Sequence, residues 1–217
     1  NIAVQGFPTT AGSKILADAV SMEDATVARR LRQAGAVFIG KLNMHEFAWG
    51  GTSANPHYGT VANPWNTARF AGGSSGGSGA ALAARMCYGT LGTDTGGSIR
   101  LPAINGVVGI RPTYGRVSNH GIVPLAWSMD TAGPMARDAA DCALMFQVMA
   151  GHDPRDPTTD ACAVSDYCAL REDVLDGLRI GVIPGYFDAH LQKPVHDAVS
   201  RALAQLASLG AHVVDVA

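Results

Sequence analysis

Apolar residues recur at helical spacing in three parts of the chain, residues 23–34, 138–149 and 194–209, and small residues favour a fourth helix over 78–86. Such spacing places apolar side chains on one face of each segment, which predicts helices that pack against a core. In the segment 138–149 the inward positions are Ala139, Cys142, Ala143, Phe146 and Met149. Gly151 follows directly, as expected after the end of a helix.

A short apolar run predicts a strand at residues 36–40, and further strands are predicted at residues 88–93, 178–183 and 213–216. The first is consistent with a buried strand of a parallel sheet, and the last two flank a predicted helix as a strand-helix-strand unit. Residues 50–73 are rich in Gly, Asn, Pro and Thr and are predicted to be mostly loop. Because helices and strands alternate along the chain, the predicted fold class is α/β.

The composition is that of a globular protein, since 47% of the 217 residues are hydrophobic and 16% are charged. A formal net charge of −2 provides no basic surface for nucleic acid, so direct nucleic-acid binding is disfavoured. The sequence contains no run of about 18 apolar residues, so it does not predict a membrane span in this segment. We expect a cytoplasmic protein whose four cysteines, which lack CxxC spacing, are free thiols rather than zinc ligands or disulfides.

Many of the 26 glycines stand in two glycine-serine segments. The first, residues 72–79, has the composition of a flexible linker. It lacks the lysine of a phosphate-binding loop, and Leu82 occupies the place of the third glycine of a dinucleotide fingerprint. Because a run of small, helix-favouring residues follows at once, we interpret these glycines as structural positions in tight packing.

The second segment, residues 92–100, follows a predicted strand, and strand ends are where α/β sheets place their chemistry. Adjacent Gly96 and Gly97 allow successive backbone N–H groups to point into one cavity, as a developing oxyanion requires. Ser98 beside them is a candidate nucleophile. The alternative is a tight turn in which this serine only caps a helix. The serine pair Ser74-Ser75 in the first segment favours the catalytic interpretation.

Three runs together resemble the amidase signature family: GGSSGGS from Gly72, GTDTGGSIRLP from Gly92 and GIRPTYGRVS from Gly109. The similarity extends upstream through GKLNMHEF from Gly40 and downstream through DTAGPMAR from Asp130, so it spans roughly residues 1–160. It implies an amidase signature fold, a mixed central β-sheet flanked by helices on both faces. This fold would be incomplete here, with residues 1–217 forming one partial domain.

The resemblance implies amide hydrolysis by two serines and a lysine. Ser98 is implied as the nucleophile, and Ser74, preceded by a cis peptide bond, as the serine that relays protons between Ser98 and the lysine. The implied oxyanion hole consists of the backbone N–H groups of Thr95, Gly96, Gly97 and Ser98. Loop-supporting roles are implied for Ser75, Asp94 and Arg100. The last two are equally interpretable as a plain structural pair.

Two features of the implied site are less direct. Trp49 is a candidate for lining the acyl pocket. The lysine of the family lies in a Lys-Asp-Asn run, whereas this chain opens at Asn1, and Lys41 belongs to a different motif. We therefore expect the base to lie outside these residues, both ends to be truncated, and a polypeptide of residues 1–217 alone to be inactive.

The resemblance thus implies a hydrolase that cleaves a small carboxylic amide to an acid and ammonia or an amine through an acyl-Ser98 intermediate. No metal and no organic cofactor is implied, and the histidines show no HExxH spacing. Whether the protein is a homo-oligomer stays open. Two alternatives remain: the glutaminase component of a tRNA-dependent amidotransferase, against which Leu101 weighs because that component usually has glutamine there, and a catalytically inactive scaffold.

Overall fold

The computed structural model describes residues 1–169, 175–185 and 191–216. The chain divides into two compact units, Asn1–Cys168 and Ala169–Ala217. None of the helices in the described ranges has the length and hydrophobicity that a membrane span requires. The first unit contains both glycine-serine segments and therefore receives most of the description below.

The first unit combines three helices with seven strands. The helices are α1 (Thr26–Gln33), α2 (Gly76–Ala83) and α3 (Ala139–Met149), and short 3-10 helices cover Glu46–Ala48 and Leu101–Asn105. The strands are β1 (Ala54–Asn55), β2 (Gly59–Thr60), β3 (Ala62–Asn63), β4 (Asn66–Phe70), β5 (Gly89–Asp94), β6 (Val108–Gly109) and β7 (Thr131–Ala136). β1 pairs with β2 and β3 with β4, both antiparallel, so the predicted loop 50–73 contains two small hairpins.

The central sheet has the order β5-β7-β6, and both pairings are antiparallel. Alternate residues of a strand face opposite sides of a sheet, and β7 uses both sides. Ala132 packs in a core cluster with Phe146 and Met149 of α3. Met135, three positions later, packs with Leu82 of α2 in a second cluster. Helices therefore cover both faces of this sheet, and the α/β class is confirmed.

α2 forms although its sequence begins with glycines, each of which costs about 1 kcal/mol in a helix interior relative to alanine. The reason is close packing against the 3-10 helix Leu101–Asn105. A Cβ atom at Gly79 would lie 2.9 Å from the Pro102 Cβ and 2.8 Å from the Asn105 side-chain nitrogen. The first glycine-serine segment is therefore a packed helix start, as interpreted from the sequence, and not a linker.

The second unit contains β8 (Arg179–Val182), α4 (Lys193–Ser208) and β9 (His212–Asp215). β8 and β9 pair in parallel, which confirms the predicted strand-helix-strand unit. The register aligns Ile180 with Val213. A parallel pair of this kind needs a long crossover, and α4 supplies it.

Two local predictions were wrong, and one strand was not predicted. Residues 36–40 form no strand, and Val37 and Ile39 are 84% and 73% exposed, because none of the strands in the described ranges pairs with them. Ala139 is exposed rather than inward, since it occupies the first turn of α3. β7 was not predicted as a strand, because Gly133 and Pro134 in its middle are residues that usually weaken strands.

Candidate active site

The two glycine-serine segments meet through a backbone hydrogen bond. The N–H of Ser75, at the start of α2, donates to the carbonyl oxygen of Ser98 at 3.1 Å. Ser98 lies four residues beyond the end of β5, in a turn that leads into the 3-10 helix Leu101–Asn105. The structure therefore places the two glycine-serine segments side by side, joined through Ser75 and the main chain of Ser98.

Ser74 is fully buried, and its main chain is held from two directions. Its carbonyl oxygen accepts a hydrogen bond from the N–H of His45 at 3.0 Å and another from the hydroxyl of Ser53 at 3.1 Å. The Gly73-Ser74 peptide bond is cis, as expected from the resemblance. The Ser74 hydroxyl oxygen is buried and has no hydrogen-bond partner within the part of the chain that the structure describes.

The loop before Ser98 presents a row of free amides. Within residues 1–169, 175–185 and 191–216, the backbone N–H groups of Thr95, Gly96, Gly97 and Ser98 donate no hydrogen bond. Gly97 has a φ of +146° and Gly96 is surrounded by open space, since no atom lies within 4 Å of a Cβ placed there. Ser98 itself is only 8% exposed. This loop has the unsatisfied donors that an anionic oxygen would require.

Asp94 fixes that loop from inside. Its carboxylate is fully buried and accepts hydrogen bonds from the N–H groups of Ile99 (3.1 Å) and Arg100 (3.3 Å). The guanidinium of Arg100 adds two more, at 3.2 and 3.1 Å. The Arg111 guanidinium forms an ion pair with the same carboxylate at 3.2 Å. The predicted Asp94–Arg100 pair therefore exists, and it spans the turn that carries Ser98.

The electrostatics of Asp94 follow from these contacts. Burial alone would raise the pKa of this carboxyl, because it penalises the charged form. The hydrogen bonds from Arg100 and from the two backbone amides outweigh burial and hold the pKa below its ordinary value. Asp94 is thus a charged anchor, and its oxygens are occupied by donors of its own loop.

Ser75 connects α2 to β5. Its hydroxyl donates to the carbonyl oxygen of Thr93 at 3.4 Å and accepts from the N–H of the same residue at 3.3 Å. Space is tight here, because a Cβ atom at Gly92 would lie 2.8 Å from this hydroxyl oxygen. The side chain of Asn1 reaches the same strand end and donates to the Thr93 hydroxyl at 3.1 Å.

Other polar residues support the amide row from outside. The Thr95 hydroxyl donates to the carboxylate of Asp130, which also accepts from the N–H groups of Leu125 (2.8 Å) and Ala126 (3.1 Å). The Thr131 hydroxyl donates to the carbonyl oxygen of Asp94 at 3.0 Å. The amide row is therefore tied to the segment that leads into β7.

Within the described residues, neither Trp49 nor Lys41 forms a hydrogen bond with Ser74 or Ser98. Trp49 follows the 3-10 helix Glu46–Ala48 and is 76% exposed; its pocket role stays a prediction. The Lys41 ammonium donates to the carbonyl oxygen of Ile2 and to the hydroxyl of Thr9 at 3.3 Å. Burial lowers the pKa of Lys41 to about 8. Both of these partners belong to the N-terminal segment and not to the serine loops.

Four residues at this site were not identified from the sequence: His45, Ser53, Arg111 and Asp130. Each acts through a bond to a backbone group or a carboxylate far along the chain, and such bonds leave no local pattern. Arg111 and Asp130 do fall within the runs that resemble the family. Ser53 stands in a stretch of small polar residues that was interpreted only as loop.

Comparisons with known proteins show the family and the fold of the chain. The sequence model of the amidase family matches residues 1–217. The chain is 53% identical over 213 residues to the A component of the glutamyl-tRNA(Gln) amidotransferase of Pseudomonas aeruginosa, covering 98% of this chain and 44% of that protein. The crystal structure of the same component from Thermotoga maritima matches with a TM-score of 0.95 and 39% identity, over 99% of this chain and 48% of that one. The crystal structure of the native peptide amidase of Stenotrophomonas maltophilia matches with a TM-score of 0.92 and 41% identity, covering 100% of this chain and 46% of that one. The chain thus spans about half the length of these relatives.

Proposed function

Because this chain belongs to the amidase signature family, we propose that the protein hydrolyses a small carboxylic amide to an acid and ammonia or an amine. The Ser98 hydroxyl attacks the carbonyl carbon and gives up its proton to Ser74. The carbonyl oxygen becomes an anion, and the free N–H groups of residues 95–98 stabilise it. One such donor contributes roughly 3 kcal/mol to the stability of a transition state.

The second half of the reaction releases the products. The tetrahedral intermediate collapses, the C–N bond breaks, and Ser74 returns a proton to the leaving nitrogen. A water molecule then attacks the acyl-Ser98 ester, so that the acid leaves and the Ser98 hydroxyl is restored. Ser74 passes the proton to and from a lysine base, which the family resemblance places outside these residues. A polypeptide of residues 1–217 alone should accordingly lack turnover.

One observation carries this proposal: the buried Ser74 hydroxyl has no partner within the described residues, while the next residue is bonded to Ser98. A buried polar group without a hydrogen bond costs about 1–3 kcal/mol. A serine that served only to cap α2 would use its hydroxyl on the helix. A serine that relays protons must instead keep its hydroxyl available to its neighbours.

The second candidate is a glutaminase component that releases ammonia for a partner enzyme. The 53% identity to the A component of an amidotransferase favours it, whereas Leu101 favours a stand-alone amidase. The two candidates differ in their partners: the glutaminase component requires other subunits, whereas the stand-alone amidase requires only its small-molecule substrate. For either, we propose a cytoplasmic location and no direct contact with nucleic acid.

The test is covalent labelling of the complete natural protein that carries this sequence. A fluorophosphonate probe should modify Ser98, as located by peptide mass spectrometry, and Ser98→Ala should abolish both labelling and amide hydrolysis. Ser165→Ala removes an exposed serine and serves as the matched control. Absence of labelling at Ser98 in the folded wild-type protein would favour the inactive scaffold. Glutaminase activity measured with and without partner subunits separates the two enzymes.

A further inference from the structure

We propose that Ser53 is a positioning residue for Ser74, and that its hydroxyl, rather than its backbone, performs this role. The inference rests on the proposed function, because it assigns a purpose to the placement of the proton-relaying serine. Ser53 is fully buried and lies 21 residues before Ser74 in the chain.

The Ser53 hydroxyl makes two hydrogen bonds that bracket Ser74-Ser75. It donates to the carbonyl oxygen of Ser74 at 3.1 Å and accepts from the N–H of Gly76 at 3.0 Å. A hydroxyl has one proton to donate and lone pairs to accept, so both bonds form together. One oxygen atom thus holds the main chain immediately after the Ser74 Cα and again two residues later.

The second bond replaces a helix cap. The first N–H groups of a helix have no partner within the helix, and a side chain at the N-cap position usually accepts from them. Ser75 occupies that position in α2 but makes no capping bond, because its hydroxyl is bonded to Thr93 instead. Ser53 accepts from the Gly76 N–H in its place, from outside the helix.

Close packing makes this contact specific. A Cβ atom at Gly76 would lie 2.4 Å from the Ser53 hydroxyl oxygen, and one at Gly73 would lie 2.9 Å from it. The two glycines therefore provide the space that lets the Ser53 hydroxyl approach the main chain on both sides of Ser74. Since the Ser74 hydroxyl has no anchor of its own among the described residues, its position depends on these main-chain contacts.

Two substitutions separate the hydroxyl from the backbone. Ser53 has a φ of +55°, a left-handed conformation that glycine adopts without steric cost and alanine does not. Ser53→Ala removes the hydroxyl and leaves the unfavourable conformation, whereas Ser53→Gly removes the hydroxyl and relieves it. If the hydroxyl matters, both variants lose activity. Recovery in Ser53→Gly would overturn the inference in favour of a backbone role. Ser165→Ala, which removes an exposed hydroxyl in a different part of the chain, is the control.

The readout compares an amide with a p-nitrophenyl ester of the same acyl group, in the complete natural protein. An amide needs both proton transfers proposed for Ser74, removal of the Ser98 proton and return of a proton to the leaving nitrogen, whereas p-nitrophenolate leaves without the second. Rates are divided by the fraction of protein that a fluorophosphonate labels at Ser98, which corrects for misfolded material. We expect Ser53→Ala and Ser53→Gly to lower kcat for the amide about 10-fold or more, part of the roughly 100-fold or larger contribution of general acid–base catalysis, because Ser74 is displaced and not removed. The ester rate should fall by a factor at least about 3 times smaller, since the ester needs only the first of the two proton transfers.

A double variant completes the test. If Ser53 acts through Ser74, the double variant Ser53→Ala/Ser74→Ala should have the same amide-to-ester rate ratio as Ser74→Ala alone, since the effects of residues that act through one another are not additive. An equal fall of amide and ester rates in the Ser53 variants, or an additive effect in the double variant, would overturn the inference. These outcomes leave Ser98 labelling intact. Failure of the proposed function itself would instead appear as loss of Ser98 labelling in the wild-type protein.

Discussion

Asp94→Asn is the change that tests most directly what holds the Ser98 loop in place. Both carboxylate oxygens of Asp94 face donors: Oδ2 accepts from Ile99 and Arg100, and Oδ1 lies 3.1 Å from the Arg100 guanidinium and 3.2 Å from that of Arg111. An asparagine of the same size must turn an NH₂ group toward one of these sets of donors. The variant therefore loses the charge that the ion pair with Arg111 needs, and it also leaves at least one hydrogen-bond donor without an acceptor.

The expected magnitude follows from burial. Removing one partner of a buried ion pair costs about 3–5 kcal/mol. The lower end, about 3 kcal/mol, applies because the Arg100 side chain is 56% exposed and regains water when it loses its partner. For a chain of this size each 1 kcal/mol shifts Tm by roughly 2–4 °C. The expected fall in Tm at pH 7 is therefore about 6–12 °C.

The pH dependence provides a second, independent sign. The pKa of Asp94 is held below its ordinary value of 3.8, so the unfolded state binds a proton more readily than the folded state. Its contribution to stability is fully present above about pH 4 and is lost as the pH falls through the lower, folded-state pKa. The asparagine side chain of the variant does not titrate in this range. The stability gap between wild type and Asp94→Asn should thus narrow as the pH is lowered toward 3.

Denaturant unfolding followed by tryptophan fluorescence is a suitable assay, because all three tryptophans lie in the first unit. The free energy of unfolding is measured at pH 7 and in steps down to pH 3.5, with Asp18→Asn, at an exposed position, as the control. A gap below about 1 kcal/mol at pH 7, which is no more than a typical point substitution costs, would refute the reasoning. So would a gap that stays constant with pH.

Two further predictions concern packing and thiol reactivity. Gly92→Ala should cost about 1–3 kcal/mol, because its Cβ atom would lie 2.8 Å from the Ser75 hydroxyl oxygen and 3.0 Å from Ile99. Gly40→Ala, which has open space, should be nearly neutral in the same denaturant unfolding assay, and equal free energies of unfolding for the two variants would contradict the packing. Iodoacetamide at pH 8 should alkylate exposed Cys168 well before Cys142, since burial raises the pKa of Cys142 to about 11; early modification of Cys142, seen by peptide mass spectrometry of the native protein, would count against its position beneath β7.

The elements predicted well from the sequence are those whose burial depends on their own pattern. α3 was predicted from its apolar periodicity. In the structure, the Asp138 side chain caps this helix by accepting a hydrogen bond from the N–H of Asp141 at 2.8 Å. β5 was predicted over residues 88–93, and the structure has it at Gly89–Asp94, with Thr90 and the last three residues buried. β7 was missed because its buried position depends on the neighbouring strands. Pro134 is tolerated there since the β6 ladder ends beside it, and its carbonyl oxygen still accepts from the Ile110 N–H at 3.1 Å.

The same distinction applies to the site. Ser74, Ser98 and the glycines around them stand in contiguous runs, so a resemblance was sufficient to identify them. Ser53 acts on the Ser74 carbonyl oxygen from a loop whose sequence shows only turn-forming residues, and His45 does so through its backbone N–H, which no side-chain pattern reveals. The strand predicted at 36–40 failed for the converse reason. An apolar run predicts burial only if another element covers it, and the sequence of the run contains no information about that partner.

Seven buried polar atoms have no hydrogen-bond partner within the described residues, so an unpaired atom alone does not identify a functional group. The other six belong to side chains that carry at least one further nitrogen or oxygen atom. Asn105, for example, donates from its nitrogen to the carbonyl oxygens of Ala71 and Pro102, and its unpaired oxygen is a partial loss. Ser74 has a single side-chain polar atom, which finds no acceptor, although its main chain is fixed by two donors. The fold therefore fixes the backbone of this residue and leaves its only reactive atom without a competing hydrogen bond, so that the hydroxyl stays available for the proton transfers proposed for it.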